Sequence, residues 1–133
     1  MNMNHLSPET QISELFQSIS PLPRVQILQA LGEEEACVCH LETALGLRQA
    51  YLSQHLMALR QAGMVVSRRD GRNVFYRLTN PAVLRLIQEA GVLLGFSGSE
   101  IQVAGANTLL AGCPCPHCGE KEMVFMPEAS VGL

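Results

Sequence analysis

The chain has no long apolar run, and this absence excludes a membrane helix. No window of its 133 residues reaches the roughly 18 consecutive apolar residues that a bilayer span requires. The N-terminal residues, Met1 to His5, lack the basic and apolar regions of a secretory signal peptide. There are also no internal repeats of the kind that build solenoids. We therefore expect one folded domain in the cytoplasm, without a membrane partner.

The cysteines are not expected to form a disulfide framework. The chain has five cysteines, an odd number, and thiols in the cytoplasm usually stay reduced. Hydrophobic residues make up 47% of the chain, enough to bury a core that needs no covalent staple. The thiols are therefore available for metal or redox chemistry.

The formal net charge of −3 conceals a basic segment. Between Arg48 and Arg77 there are six arginines and one acidic residue, Asp70, so this segment carries +5 and the rest of the chain −8. A basic stripe on an acidic body is typical of proteins that bind the phosphates of nucleic acid. A merely solvated arginine face is the alternative.

The order of the predicted elements is that of a winged helix-turn-helix. Apolar residues at helical spacing predict five helices, and β-branched and aromatic residues around Asp70-Gly71 predict a β-hairpin. The helices start at Ser7-Pro8-Glu9, near Val25, at Cys37, at Arg48 and at Ala82, and the strands are Met64–Arg68 and Asn73–Leu78. The fold is thus mainly α with a small β-hairpin, α-α-α-α-β-β-α, over residues 1–94. A Cys-rich tail, residues 95–133, follows as a separate segment.

The fourth predicted helix, Arg48–Ala62, has the position of a DNA-recognition helix. Its apolar face is Tyr51, Leu52, Leu56 and Leu59. In a helix-turn-helix, the N-terminal residues of the second helix meet base edges in the major groove, and Arg and Gln are suited to guanine and adenine. The candidate DNA contacts on this helix are Arg48, Gln49, Tyr51, Ser53, Gln54 and His55. Arg69 and Arg72, beside the hairpin turn, are the candidate contacts of the wing to the DNA backbone or minor groove.

Three segments carry a resemblance to a known family. They are Ala36–Leu41 (ACVCHL), Leu52–Gly63 (LSQHLMALRQAG), and Val65–Arg72 continued by Val74–Leu78. Over about Glu9 to Leu94 the chain resembles the ArsR/SmtB family of metal-responsive repressors. The Ser-x-His-Leu stretch leading to Leu-Arg-x-Ala-Gly is close to a signature of that family, whereas the tail is not covered.

The resemblance implies the partners and the activity. It implies a homodimer whose first and last helices pack together and whose recognition helices read a palindromic operator in double-stranded DNA. It also implies repression in the metal-free state and release when the inducer binds. Neither an enzyme activity nor a small-molecule substrate is expected.

Cys37 and Cys39 are the first candidate ligands, because thiolates prefer soft ions. Residues i and i+2 project about 200° apart from a regular helix, so both thiols cannot bind one ion from an undisturbed helix. Either the pair precedes the helix, or ion binding unwinds its first turn. In the family, a further thiol commonly lies near position 42, but here that residue is Glu42.

The missing ligand is expected from the tail. Cys113, Cys115 and Cys118 stand in a proline-rich stretch with His117, and prolines keep such a stretch extended. A separate zinc knuckle formed by these residues is the alternative, since Cys-x-x-Cys is half of a zinc site. Buried, inert thiols are the corresponding alternative for Cys37 and Cys39.

The donor types favour a thiophilic inducer. The last helix, Ala82–Leu94, has no His and only Glu89 as an acid, so a His and carboxylate site of the kind found in other members of the family is not expected there. We predict As(III) or Sb(III) as the inducer, with Cd(II), Pb(II) or Zn(II) as alternatives. A thiol-oxidation switch on the same fold is a second reading. A thiol enzyme using Cys115 and Cys118 is disfavoured, because no βαβ unit surrounds them.

Overall fold

The computed structural model describes residues 6–98, and its elements follow the predicted winged helix-turn-helix order. They are α1 (Pro8–Ile19), α2 (Leu22–Leu31), β1 (Ala36–Cys37), α3 (Val38–Leu45), α4 (Gln49–Gln61), β2 (Val65–Asp70), β3 (Asn73–Leu78) and α5 (Ala82–Leu93). The predicted fold class is confirmed, with one additional strand. The tail cysteines lie outside the described residues, and the division after Leu94 stays a prediction.

Local sequence signals account for the helix ends. Ser7 caps α1, since its hydroxyl accepts a hydrogen bond from the Thr10 amide at 3.2 Å. Gly46 ends α3 in the left-handed conformation, and its amide donates to the Glu42 carbonyl. Gly95 ends α5 with φ +92°, while the amides of Gly95 and Phe96 donate to the carbonyls of Val92 and Gly91. This Schellman arrangement stops the helix where the family resemblance also ends.

The wing is part of a three-stranded antiparallel sheet in the order β1-β3-β2. The hairpin runs in register from Val65 opposite Leu78 to Asp70 opposite Asn73. The short strand β1 was not predicted. It places Cys37 opposite Phe75 on the outer side of the hairpin, and α3 therefore begins at Val38 and not at Cys37 as expected.

The core lies between the helices and the sheet. Its fully buried aliphatic side chains come from α2, α3, α4 and the start of β2: Ile27, Leu28, Leu31, Leu41, Leu52, Leu56, Leu59 and Val65. Tyr51 was predicted in the same apolar row as Leu52 and is not part of it. Its side chain is 45% exposed, because it lies on the flank of α4 and not on the face turned to the core.

Large apolar side chains are exposed on several helices, on α1 and α5 and also at Leu22 of α2 and Met57 of α4. Ile12 and Phe16 are exposed on α1, and Leu93 on α5 is 88% exposed. Val92, Leu94 and Phe96, around the end of α5, are exposed as well. Within residues 6–98 no helix has the length and apolarity needed to cross a membrane.

Candidate functional site

The buried face of α4 fixes which of its side chains reach solvent. Leu52, Leu56 and Leu59 anchor the helix in the core, and the left-handed Gly46 lets the chain turn from α3 into α4. Arg48 is the N-cap of α4 and not a residue within it. Of the candidate contacts on this helix, five are exposed: Arg48, Gln49, Tyr51, Ser53 and Gln54.

His55 differs from the other candidates because it is half-buried and packed against α2. Its Nδ1 accepts a hydrogen bond from the Nε–H of Arg24 at 3.1 Å. The Tyr51 ring meets the imidazole edge-on, with ring centroids 4.7 Å apart. Burial, and secondarily the positive charge of Arg24, lower the pKa of His55 below its ordinary value. The imidazole is therefore neutral near pH 7.

The wing presents its two candidate arginines on either side of a tight turn. Arg69 and Arg72 are exposed, and Gly71 between them adopts φ +61°, a conformation that favours glycine. Both arginines therefore flank the tip of the hairpin with their side chains exposed to solvent.

Arg68, a third arginine of the basic segment, is engaged within the protein. Its guanidinium donates two hydrogen bonds to the carboxylate of Glu35, at 2.7 and 2.6 Å. Its Cζ lies 4.6 Å from the centre of the Phe75 ring, a cation–π distance. The bond to Glu35 raises the pKa of Arg68. The charge of Arg68 is thus neutralised locally, and the basic stripe is weaker than its composition indicates.

Cys37 lies where the sheet meets α3. It is 1% exposed and is the N-cap of α3, with its Sγ accepting a hydrogen bond from the His40 amide at 3.3 Å. Its backbone pairs with Phe75 of β3. Moving this thiol therefore removes the side-chain cap from the first turn of α3, and moving the Cys37 backbone with it opens the pairing with β3.

Cys39 is the second residue of α3 and is half-buried. The Thr43 hydroxyl donates to its carbonyl at 3.1 Å, which is a normal contact inside a helix. The expectation that both cysteines precede the helix is therefore correct for Cys37 and wrong for Cys39, which lies within α3. Neither thiol is in a disulfide in the described part of the chain.

The described residues do not contain a complete metal site. Among residues 6–98, no group of three or more His, Cys, Asp or Glu side chains is arranged to hold an ion. His40 is buried at 3% exposure, and its amide supports the Cys37 thiol. Cys113, Cys115, Cys118 and His117 lie outside the described residues, so a site that includes them stays a prediction.

Sequence reasoning missed two residues that shape these surfaces. Arg24 contacts His55 across 31 positions, and Glu35 contacts Arg68 across 33. Glu35 has one signal in the sequence, since it ends the acidic run Glu33–Glu35 directly before β1. Arg24 has a weaker one: it is a cation in the first turn of a helix, where the helix dipole disfavours positive charge.

Comparisons with known proteins agree with this architecture. The sequence model of the family described as "Bacterial regulatory protein, arsR family" matches residues 23–67. A transcriptional repressor SmtB homolog from Synechocystis is 34% identical over 84 residues, covering 63% of this chain and 64% of that protein. The chain thus spans just under two thirds of that relative. The biofilm growth-associated repressor of Agrobacterium fabrum is 37% identical over 79 residues, covering 59% of this chain and 68% of that protein.

A solved structure extends the agreement to the fold. The homodimeric winged helix-turn-helix DNA-binding domain Mb0332 from Mycobacterium bovis superposes with a TM-score of 0.57 at 30% identity, covering 65% of this chain and 80% of that one. These relatives are transcriptional regulators and not enzymes. The residues that carry the family resemblance, the order of the elements and these similarities lead to one conclusion. The chain belongs to the arsR family of bacterial regulatory proteins.

Proposed function

We propose that the protein is a homodimeric transcriptional repressor that leaves a palindromic operator when a thiophilic ion binds Cys37, Cys39 and at least one tail cysteine. As(III) or Sb(III) is the first choice of inducer, and Cd(II), Pb(II) and Zn(II) are the alternatives. We expect the repressor to act in the cytoplasm, where the operator DNA lies. One observation carries the proposal: Cys37 is at once a candidate ligand, the cap of α3 and a strand residue paired with the wing.

Two separate surfaces support DNA binding. The N-terminal half of α4 exposes polar side chains that suit base edges and phosphates, among them Gln49, Ser53 and Gln54. The tip of the hairpin exposes Arg69 and Arg72. In a winged helix, the recognition helix enters the major groove, while a basic wing binds the adjacent backbone or minor groove.

Replacing both wing arginines tests this surface. We expect Arg69→Ala with Arg72→Ala to weaken binding to all duplexes and to reduce the slope of log K against log salt by about 2, since each phosphate contact contributes about 0.9. Fluorescence anisotropy at several salt concentrations measures the slope. Arg85→Ala is the matched control, because Arg85 is an exposed arginine on α5, away from the wing. An unchanged slope in the double variant would show that the wing does not touch phosphate.

The exposed apolar side chains of α1 and α5 support the dimer. Phe16 on α1 and Leu93 on α5 are large apolar residues that the single chain leaves exposed. Both lie on the helices that the family resemblance assigns to the interface. Burial of these faces against a second copy removes the apolar area from water and brings two recognition helices into one symmetric unit.

The donors present fit a soft ion but do not complete its site. Cys37 and Cys39 offer two thiolates, the ligand type that As(III), Sb(III) and Cd(II) prefer. A three-coordinate or four-coordinate site needs one or two more donors, and Cys113, Cys115 and Cys118 are the thiols that remain in the chain. A bound ion would draw the thiolates together. Cys37 and Cys39 would have to leave their present positions, at the N-cap and in the first turn of α3, to bind it.

The position of Cys37 connects the thiols to the DNA-binding surfaces. While Cys37 caps α3, the His40 amide is satisfied and β1 stays paired with β3. If its thiol turns towards Cys39, the cap is lost, and any accompanying shift of the Cys37 backbone opens the pairing opposite Phe75. Phe75 contacts Arg68, which is held by Glu35 one residue before β1. A disturbance at the thiols therefore reaches the wing as well as α3 and the recognition helix behind it.

A titration of ions tests the proposed function. Arsenite, cadmium, zinc and lead are added to the reduced full-length protein bound to a duplex that it has enriched from a random-sequence pool. We expect arsenite to release the DNA, and a variant truncated after Thr108 to remain bound, because it lacks all three tail cysteines. Release of the truncated variant at the same arsenite concentration would contradict the role of the tail. Release by peroxide in the presence of a chelator would replace ion binding with thiol oxidation.

A further inference from the structure

We propose that Arg24 is a positioning residue for DNA binding: it holds the His55 ring in one orientation and one neutral tautomer, so that α4 presents the Nε2–H of His55 as a hydrogen-bond donor to DNA. This inference rests on the proposed DNA-binding role of α4. It assigns a function to a residue of α2 that does not itself belong to the recognition helix.

The geometry determines the tautomer. The Nε of Arg24 can only donate, and it lies 3.1 Å from Nδ1 of His55, so Nδ1 must accept and the ring proton must be on Nε2. Nδ1 and Nε2 point in different directions from the imidazole ring. The hydrogen bond between Arg24 and Nδ1 therefore leaves Nε2 pointing away from Arg24. The ring is half-buried, and it is wedged edge-on against the exposed Tyr51. Both contacts restrict its rotation.

Arg24 is itself fixed by a second contact. Its Nη1 donates to the Ser18 carbonyl at 3.0 Å, in the last turn of α1. Carbonyls at a helix C-terminus lack partners within the helix and attract positive charge. The guanidinium therefore bridges the end of α1 and the middle of α4, with its own backbone in α2. One planar group thus links three helices at this point.

The placement of Arg24 in its own helix is unfavourable, which argues for a function outside that helix. Arg24 lies in the first turn of α2, where no acidic residue is present, and the helix dipole disfavours a cation there. The two hydrogen bonds to α1 and α4 offset this cost. If this side chain stabilised only α2, an acidic residue would be more favourable at this position.

The protonation equilibrium agrees with the geometry. The groups that act on the His55 ring are Arg24 from α2 and Tyr51 from α4. Burial and the charge of Arg24 lower the pKa of His55. Below about pH 6.5, the ordinary pKa of histidine, the unfolded chain binds a proton that the folded chain resists, so this contribution to stability is present above that pH and is lost as the pH falls. Protonation also removes the acceptor that Arg24 needs.

Imidazole ¹⁵N NMR on the free full-length protein tests the contact directly. We expect His55 to show the Nε2–H tautomer between pH 7 and 8, with its signal assigned by its absence in His55→Gln. In Arg24→Ala, we expect the tautomer preference to weaken and the pKa of His55 to move towards its ordinary value. An Nδ1–H tautomer or a protonated ring in the wild-type protein at pH 7 would overturn the inference, whether or not the Arg24 variant folds.

A double-mutant cycle on the enriched duplex tests the consequence for DNA binding. We expect Arg24→Ala and His55→Ala each to reduce the affinity for DNA about tenfold, the effect of losing one hydrogen bond to a charged group. The double variant should lose no more affinity than either single variant. Arg85→Ala should have no such coupling to His55→Ala. Additive losses would show that Arg24 acts independently of His55. If the wild-type protein enriches no duplex, the proposed function fails, and that result is separate from the NMR outcome.

Discussion

A Cys39→Ser protein is expected to bind operator DNA like the wild-type protein and to stay bound when arsenite is added. Cys39 is half-buried in the first turn of α3, and exchanging sulfur for oxygen leaves the helix intact while removing the soft ligand. Allosteric coupling of 1–3 kcal/mol corresponds to a loss of affinity of about 5- to 150-fold on inducer binding. We expect arsenite to lower the DNA affinity of the wild-type protein by a factor in this range and that of the variant by less than about twofold.

The comparison is made by fluorescence anisotropy on the enriched duplex, with and without arsenite. Cys37→Ser is expected to behave in the same way, because serine is among the preferred N-cap residues and can keep the cap of α3. Thr43→Ser is the matched control: it lies one turn beyond Cys39 and keeps the hydroxyl that donates to the Cys39 carbonyl. It should release DNA normally. Normal release from Cys39→Ser would remove this residue from the proposed site.

A protein with Phe16→Glu and Leu93→Glu is expected to be a monomer that binds the operator at least about 100-fold more weakly. Each of these side chains is worth about 1.5–3 kcal/mol when fully buried, and on a twofold axis each substitution counts twice. The two glutamates also bring four negative charges together in the dimer. Because both side chains are exposed in the single chain, the fold itself should be unaffected.

Analytical ultracentrifugation and circular dichroism separate these outcomes. The variant should sediment with the mass of one chain and keep the helical content of the wild type. Leu22→Glu serves as the control, since Leu22 is 68% exposed at the start of α2, outside both helices of the proposed interface. A variant that remains dimeric with both glutamates would place the interface elsewhere on the molecule.

The helices and the hairpin were predictable because their signals are local and periodic. The core face of α4 repeats Leu52, Leu56 and Leu59 at helical spacing, and Asp70-Gly71 marks the turn between two β-branched strands. Tyr51 was misplaced because an aromatic residue next to such a row resembles a core residue in composition. In the structure, Leu52, Leu56 and Leu59 form the buried face of α4, and Tyr51 lies next to that face and is exposed.

The features that position the site were not predictable, because they depend on pairs far apart in the chain. The strand β1 has two residues, too few for any periodic pattern, and it exists because β3 offers an edge for pairing. The contacts of Arg24 with His55 and of Glu35 with Arg68 arise from packing, and their residue types are common on protein surfaces. The thiol pair was found from its chemistry, whereas its division between a strand and a helix was left open by the sequence.

The pairing of β1 with β3 has a consequence for the exchange of parts between regulators. Ala36 and Cys37 are held by a ladder to Tyr76 and Phe75, so the thiol segment and the hairpin form one mechanical unit although nearly 40 positions separate them. A graft that moves only the segment from Ala36 to Leu45 into another scaffold would carry the ligands and leave behind the strand that responds to them. The transplantable unit is the thiol segment together with its hairpin.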